Sequence, residues 1–231
     1  MDVKDFLKKS IEADSKAAGP APAAGGKSKI SAISSRLFSM IKLILGLCLL
    51  AFVYSVTAAF LGEFNAVEKE LQKAFWAGVI SFVIIYLFIY EAAIFYKKGQ
   101  RLLELIFKFF APLVKVAPYL LPIYTIFIFS GYLIISQMTK SENVLRSSLF
   151  LLGLTLAFHL VFSAKSIRSR QGDFLKANYI FGFSLVYIVN LIVLCFFLNI
   201  IFEKFSFVNF LNNFFQAGQG VFTTIFKQLF L

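Results

Sequence analysis

Long apolar runs separated by short polar segments set the pattern of this chain. Five runs meet or approach the roughly 20 residues that a helix needs to cross a bilayer: 41–61, 74–96, 116–136, 148–164 and 177–202. The fourth is the shortest and has the least sharply marked ends. A closed barrel would show alternating segments of about 10 residues, whereas these runs are continuously apolar. Lipid offers the backbone no hydrogen-bond partners, so such segments must bond internally as helices. The pattern predicts an all-α fold, a polytopic membrane helical bundle with five transmembrane helices over residues 41–202 and an amphipathic helix at each end of the chain.

The ends follow a different rhythm. Within residues 1–16, Val3, Phe6, Leu7 and Ile11 fall at helical spacing with Asp and Lys opposite, which predicts a short cytoplasmic amphipathic segment. Residues 17–40 form a linker that opens with the small-residue stretch AAGPAPAAGGKSK. A flexible chain of 13 residues reaches about 20 Å root-mean-square. A leashed helix of this kind docks a cytosolic partner, lies on an anionic membrane surface, or frays in solvent. Gly26-Lys27-Ser28 suggests a phosphate loop, but residue 21 is Ala where that loop needs Gly.

The tail, residues 203–231, carries Phe207, Phe210, Leu211, Phe214, Phe215, Val221, Phe222, Ile225 and Phe226 at i, i+3, i+4, i+7 spacing. Asn209, Asn212, Asn213, Gln216, Gln219, Thr223, Thr224 and Gln228 fill the other face. This predicts an extracytoplasmic amphipathic helix, loosened or broken at Gly218 and Gly220. It lies on the outer interface or packs against a partner; a sixth crossing is disfavoured, because eight amides and hydroxyls are costly in hydrocarbon. Val3, Phe6, Leu7, Ile11, Phe207, Phe210, Phe214, Phe222 and Phe226 are the candidate partner-binding residues. A smaller stretch, 100–111, sets Arg101, Glu104 and Lys108 against a largely apolar remainder, as expected along the inner interface.

Composition agrees with the pattern. The 231 residues are 59% hydrophobic and 15% charged, against about 45–50% and 25% in soluble domains, which excludes a conventional soluble globule. A net charge of +11 would suggest nucleic acid in a soluble protein. Here, with Lys42 at the start of the first run counted in the N-terminal arm, Lys and Arg number eight, two, five, two, four and two in successive segments between the runs and at the ends. That alternation is the positive-inside signature. It predicts a cytoplasmic N-terminus and an extracytoplasmic C-terminus, as in a bacterial inner membrane (an endoplasmic-reticulum membrane gives the same bias), and makes a nucleic-acid partner unnecessary. Val56-Thr57-Ala58 resembles a signal cleavage site, but a preceding arm of about 40 residues and a long apolar run point to an uncleaved anchor. Cys48 and Cys195 lie at depths differing by about 16 Å, too far for a disulfide.

Ionisable residues within apolar runs are the candidates for chemistry. Glu91 and His159 each fall about six residues from the inner end of a run, about 9 Å deep, so they are able to pair. Such a pair relays protons or serves as structural glue. Asn190 sits near the middle of the fifth run, where an amide bonds to a neighbouring helix or contacts a substrate. Pro118 and Pro122 share a face at the entrance of the third run and interrupt its ladder. The freed carbonyls around Val114 and Pro118 either mark a simple kink or coordinate a cation or head group. Gly153 and Ala157 mark a close-packing face.

H-E-x-x-H, G-x-S-x-G, G-x-G-x-x-G and C-x-x-C are all lacking, so no metal, cofactor or catalytic residues are expected. The expectation is a non-catalytic integral membrane subunit or scaffold. It would contact lipid and a cytosolic or membrane protein partner, with oligomerisation left open. The alternative is a small transporter or channel component built on Glu91, His159 and the Pro118/Pro122 break; an intramembrane enzyme using Glu91 and His159 is a third reading.

Overall fold

The computed structural model describes residues 29–88, 93–108, 117–169 and 179–230. These are helical with no strand among them: α1 (Lys29–Phe64), α2 (Lys69–Phe88), α3 (Ala93–Ile106), α4 (Ile123–Met138), α5 (Glu142–Ser169), α6 (Tyr179–Ile201) and α7 (Phe207–Phe230). The chain divides into two units, Met1–Phe38 and Ser39–Leu231. Residues 29–38 are the described part of the first, and everything below concerns the second.

Among the described residues, four helical segments are long and apolar enough to cross a membrane: Ile44–Phe64, Lys69–Phe88, Glu142–Arg168 and Tyr179–Ile201. They mark a membrane helical bundle. The third expected run differs, because it divides into a helical turn at 117–120 and the 16-residue α4. The fourth is longer than its apolar core suggests. Glu142 in the first turn of α5 and Arg168 in the last complement the helix dipole and extend it past residues 148–164 at both ends.

Contacts fix the directions of the helices. α1 doubles back through residues 65–68, bringing Phe60 and Phe64 onto Phe75 with ring centroids 6.2 and 5.2 Å away. The buried Gln72 closes that turn by donating to the Val67 carbonyl at 2.6 Å. α2 and α5 run parallel, since Phe82 meets Phe158 and Tyr86 meets Phe162. α4 is antiparallel to α5, with Tyr119 at His159 and Thr125 at Thr155. α4 and α6 are parallel, with Leu120 at Asn190 and Phe129 stacked on Phe197. The order α1, α2, α4, α5, α6 therefore alternates in direction.

Two glycines let α2 and α5 touch through their backbones. A Cβ on Gly78 would stand 1.9 Å from the Phe150 carbonyl oxygen, and one on Gly153 would stand 2.2 Å from that of Phe75. Gly153 thus belongs to the close-packing face its spacing suggested, and Gly78 is its counterpart. Ala157 packs beside a smaller cluster of Phe82, Tyr96, Phe158 and Phe162. The main core joins α1, α2, α4, α5, α6 and the start of α7 around Phe64, Phe75, Leu149, Leu152, Leu194 and Phe210. Cys195 is buried, Cys48 is half-buried, and both are free.

The tail helix is continuous through Gly218 and Gly220, contrary to the expected break. Gly218 lies against Phe52, 3.3 Å from where its Cβ would stand, so the missing side chain serves a close approach.

Candidate functional site

The site grows from the proline break at the entrance of α4. An α-helix would pair the Pro118 carbonyl with the N–H of residue 122, but Pro122 has none. The Ile123 N–H, due to serve Tyr119, bonds to the Leu121 carbonyl instead at 3.0 Å. Regular helix resumes where the Ile126 N–H meets the Pro122 carbonyl. Pro118, Tyr119 and Pro122 are buried, so carbonyls released here need partners from neighbouring helices.

Those partners are the polar residues of α5 and α6. The Tyr119 carbonyl accepts from His159 Nε2 at 3.0 Å and from Ser163 Oγ at 3.2 Å. The next carbonyl, Leu120, accepts from Asn190 Nδ2 at 2.9 Å, and the same amide group donates to Val186 at 2.7 Å. His159 is 2% exposed; Ser163 and Asn190 are fully buried. Proline, histidine and asparagine, far apart in sequence, thus meet at one carbonyl pair.

Proton accounting fixes the roles. A carbonyl only accepts, so His159 carries its proton on Nε2 and Ser163 directs its single proton to Tyr119. Ser163 must then accept from the Tyr96 hydroxyl, 2.8 Å away on α3. The order is Tyr96 to Ser163 to the Tyr119 carbonyl, with His159 entering from the other side. Ser163 and His159 Nε2 are 3.2 Å apart, which superficially resembles a nucleophile and base. In this tautomer Nε2 has no lone pair for the serine proton, so the pair acts on the carbonyl rather than on each other. Asn190 spends both N–H groups on carbonyls, and its buried Oδ1 has no partner among the described residues.

Thr125 donates to Thr155 at 3.1 Å, and the Tyr124 hydroxyl bonds the Phe95 carbonyl, so the break is also tied to α5 and α3 farther along. Among the described residues, no three His, Cys, Asp or Glu side chains converge as metal ligands.

Of the sequence candidates, the structure brings together His159, Asn190, Pro118 and Pro122. Glu91 and Val114 lie outside the described residues, as do Val3, Phe6, Leu7 and Ile11. In the tail, Phe210 and Phe214 are buried in the chain's own core, Phe207 and Phe222 are half-buried, and Phe226 is 60% exposed. Sequence reasoning missed Ser163 and Tyr96. Ser163 was detectable, being one helical turn after His159 on the same face; nothing in the sequence singles out Tyr96.

No family model, curated protein or solved structure matches the chain.

Proposed function

We propose that this protein is a non-catalytic integral membrane subunit or scaffold that holds partners at the membrane. One observation carries the reading: the polar residues best suited to a transport path or active site, His159, Ser163 and Asn190, use their donors to pin the Tyr119–Leu120 break. Groups held this way stabilise a fold. We read the chain as crossing the membrane five times, with α4 and the turn before it as the third crossing. The alternating helix directions support this, because parallel α2 and α5 require the segment between them to return across the bundle. The basic-residue alternation then sets the N-terminus in the cytoplasm, as in a bacterial inner membrane.

On this reading the leashed N-terminal segment captures the partner. Removing residues 1–29 is expected to abolish a protein that co-purifies in mild detergent, while the bundle keeps its unfolding midpoint. An unchanged set of co-purifying proteins rejects that role.

A second reading, a small transporter or channel component, draws on one observation: Asn190 Oδ1 is buried without a partner among the described residues. It requires Glu91→Gln to stop a flux or remove its pH dependence while expression persists; full activity rules out a proton role for Glu91.

A further inference from the structure

We infer that the C-terminal helix is itself embedded at membrane depth, and that its amide-lined face is the contact surface for a second copy of this chain. The inference rests on the five crossings read above, replaces an interfacial tail with a sixth crossing by α7, and so moves the C-terminal end of that helix from the outer to the cytoplasmic side.

Consider first how α7 leaves α6. Only residues 202–206 connect them, and so short a connection makes the two helices antiparallel neighbours. The turn is tightly held. Asn199 Oδ1 accepts from the Phe207 N–H at 2.9 Å, and Ser206 Oγ caps the Asn209 N–H at 3.2 Å. The Phe207 ring returns to Phe196, 5.8 Å between centroids. The chain is thus aimed back along the bundle.

Its path can be followed on α1. Asn213 donates to Glu63 at 3.2 Å, near the end of the candidate crossing Ile44–Phe64. Phe52 then sits between Phe214 and Phe222, with centroids 5.8 and 5.3 Å away. Tyr54 shares a groove with Ala217, Val221 and Ile225. Phe52 lies twelve residues before Phe64, about 18 Å along the helix. Hydrocarbon is about 30 Å thick, so Phe222 lies beyond its midplane. The 24-residue helix is about 36 Å long, enough to traverse the bilayer.

The other face now presents a problem. Phe210, Phe214, Gly218 and Val221 lie on the packed side. Directly opposite, Asn209, Asn212, Gln216, Gln219 and Thr223 repeat at alternating spacings of three and four, and all five are exposed. That is the seam of a helix pair. Amides facing lipid lack partners, and interhelical hydrogen bonds supply them.

A second copy fits this seam for two reasons. An amide is both donor and acceptor, so identical residues facing each other at equal depth satisfy one another. The five seam positions carry no charge: Lys227, the only charged residue in α7, continues the same face one turn beyond Thr223, in the last turn of the helix, where its long side chain reaches the membrane surface.

The test uses full-length protein in native membranes, with Cys48 and Cys195 replaced by Ala and single cysteines introduced at exposed positions. A membrane-impermeant maleimide is expected to label Asn209→Cys from outside, Gln228→Cys only after permeabilisation, and Gln219→Cys in neither case. Leu50→Cys, on α1 and facing lipid, is the control for burial. Oxidation is expected to give covalent dimers through Gln216→Cys and Gln219→Cys but not Phe215→Cys. Gln216→Ala with Gln219→Ala is expected to weaken self-association roughly tenfold in detergent. Labelling of Gln219→Cys with Leu50→Cys protected overturns the embedded tail. Protection without dimers overturns the second copy, and labelling of both cysteines overturns the membrane reading itself.

Discussion

Substituting alanine for Gly78 or Gly153 puts the close approach of α2 and α5 to a test whose sign is informative. A helical Gly→Ala change with free space around it stabilises by up to about 1 kcal/mol, because glycine carries the larger entropic cost of ordering. Gly131, on α4 with nothing within 4 Å of its Cβ position, provides that control. At Gly78 the added methyl would stand 1.9 Å from the Phe150 carbonyl oxygen, and at Gly153 2.2 Å from that of Phe75, where ordinary contact begins at 3.4 Å. Both obstacles are helix backbone, which cannot swing aside like a side-chain tip. The helices must part by about 1.5 Å, an overpacking whose usual cost is about 1–3 kcal/mol. Parting also loosens Phe75, Leu149 and Leu152, each at most 1% exposed. Because one separation admits both methyls, the double variant is expected to cost less than the two single variants together. Trp76, the only tryptophan, contacts Phe64 and Phe75 at this interface and reports unfolding by fluorescence in a denaturant titration of detergent-solubilised protein. Stability within about 0.5 kcal/mol of the parent for both variants, or strict additivity in the double variant, refutes the backbone contact.

Asn190→Leu removes the donor held by the Leu120 carbonyl and is expected to lower stability by about 0.6–2 kcal/mol in the same titration; no loss means the break is not pinned there. His159→Ala and Ser163→Ala each leave the Tyr119 carbonyl one donor, so the double variant is expected to exceed the sum by about 0.5 kcal/mol or more, and additive losses contradict the shared acceptor. Phe197→Ala removes the ring stacked 4.0 Å from Phe129 and is expected to cost about 3–5 kcal/mol, checked by the same midpoint shift.

The apolar runs made the helical class legible, because lipid permits continuous hydrophobic segments few other folds. Run 177–202 matches α6 (Tyr179–Ile201), and run 41–61 matches the candidate crossing Ile44–Phe64 within α1, since neither charge nor proline interrupts them after Lys42. Length was less legible where charge, rather than hydrophobicity, ends a helix: Glu142 and Arg168 belong to α5 although neither is apolar. Pro118 and Pro122 announced a break, and its consequence, two carbonyls needing outside donors, was half visible in the sequence. Which donors arrive depends on helix directions. Asn190 and His159 stood out as polar residues in apolar runs, but only the antiparallel pairing of α4 with α5 and the parallel pairing with α6 brings them to adjacent carbonyls. Gly78 escaped notice because a lone glycine in an apolar run has many causes; it acquires meaning only beside Gly153. The path of the tail was least legible. Its amides argued against hydrocarbon on transfer cost, whereas the short connection at 202–206 and the contacts to Phe52 are tertiary facts.

The central claim is that α1, α2, α4, α5 and α6 are successive crossings, with the 16-residue α4 and its preceding turn as the critical one. The direct measurement is side-specific maleimide labelling of single cysteines at Asn65, Lys140 and Lys204, against Lys98 and Arg168, in sealed cells lacking the native cysteines. The account expects the first three to react from outside and the last two only after permeabilisation. Protection of Lys140→Cys from outside, while Asn65→Cys reacts, means α4 does not cross and contradicts the five-crossing bundle.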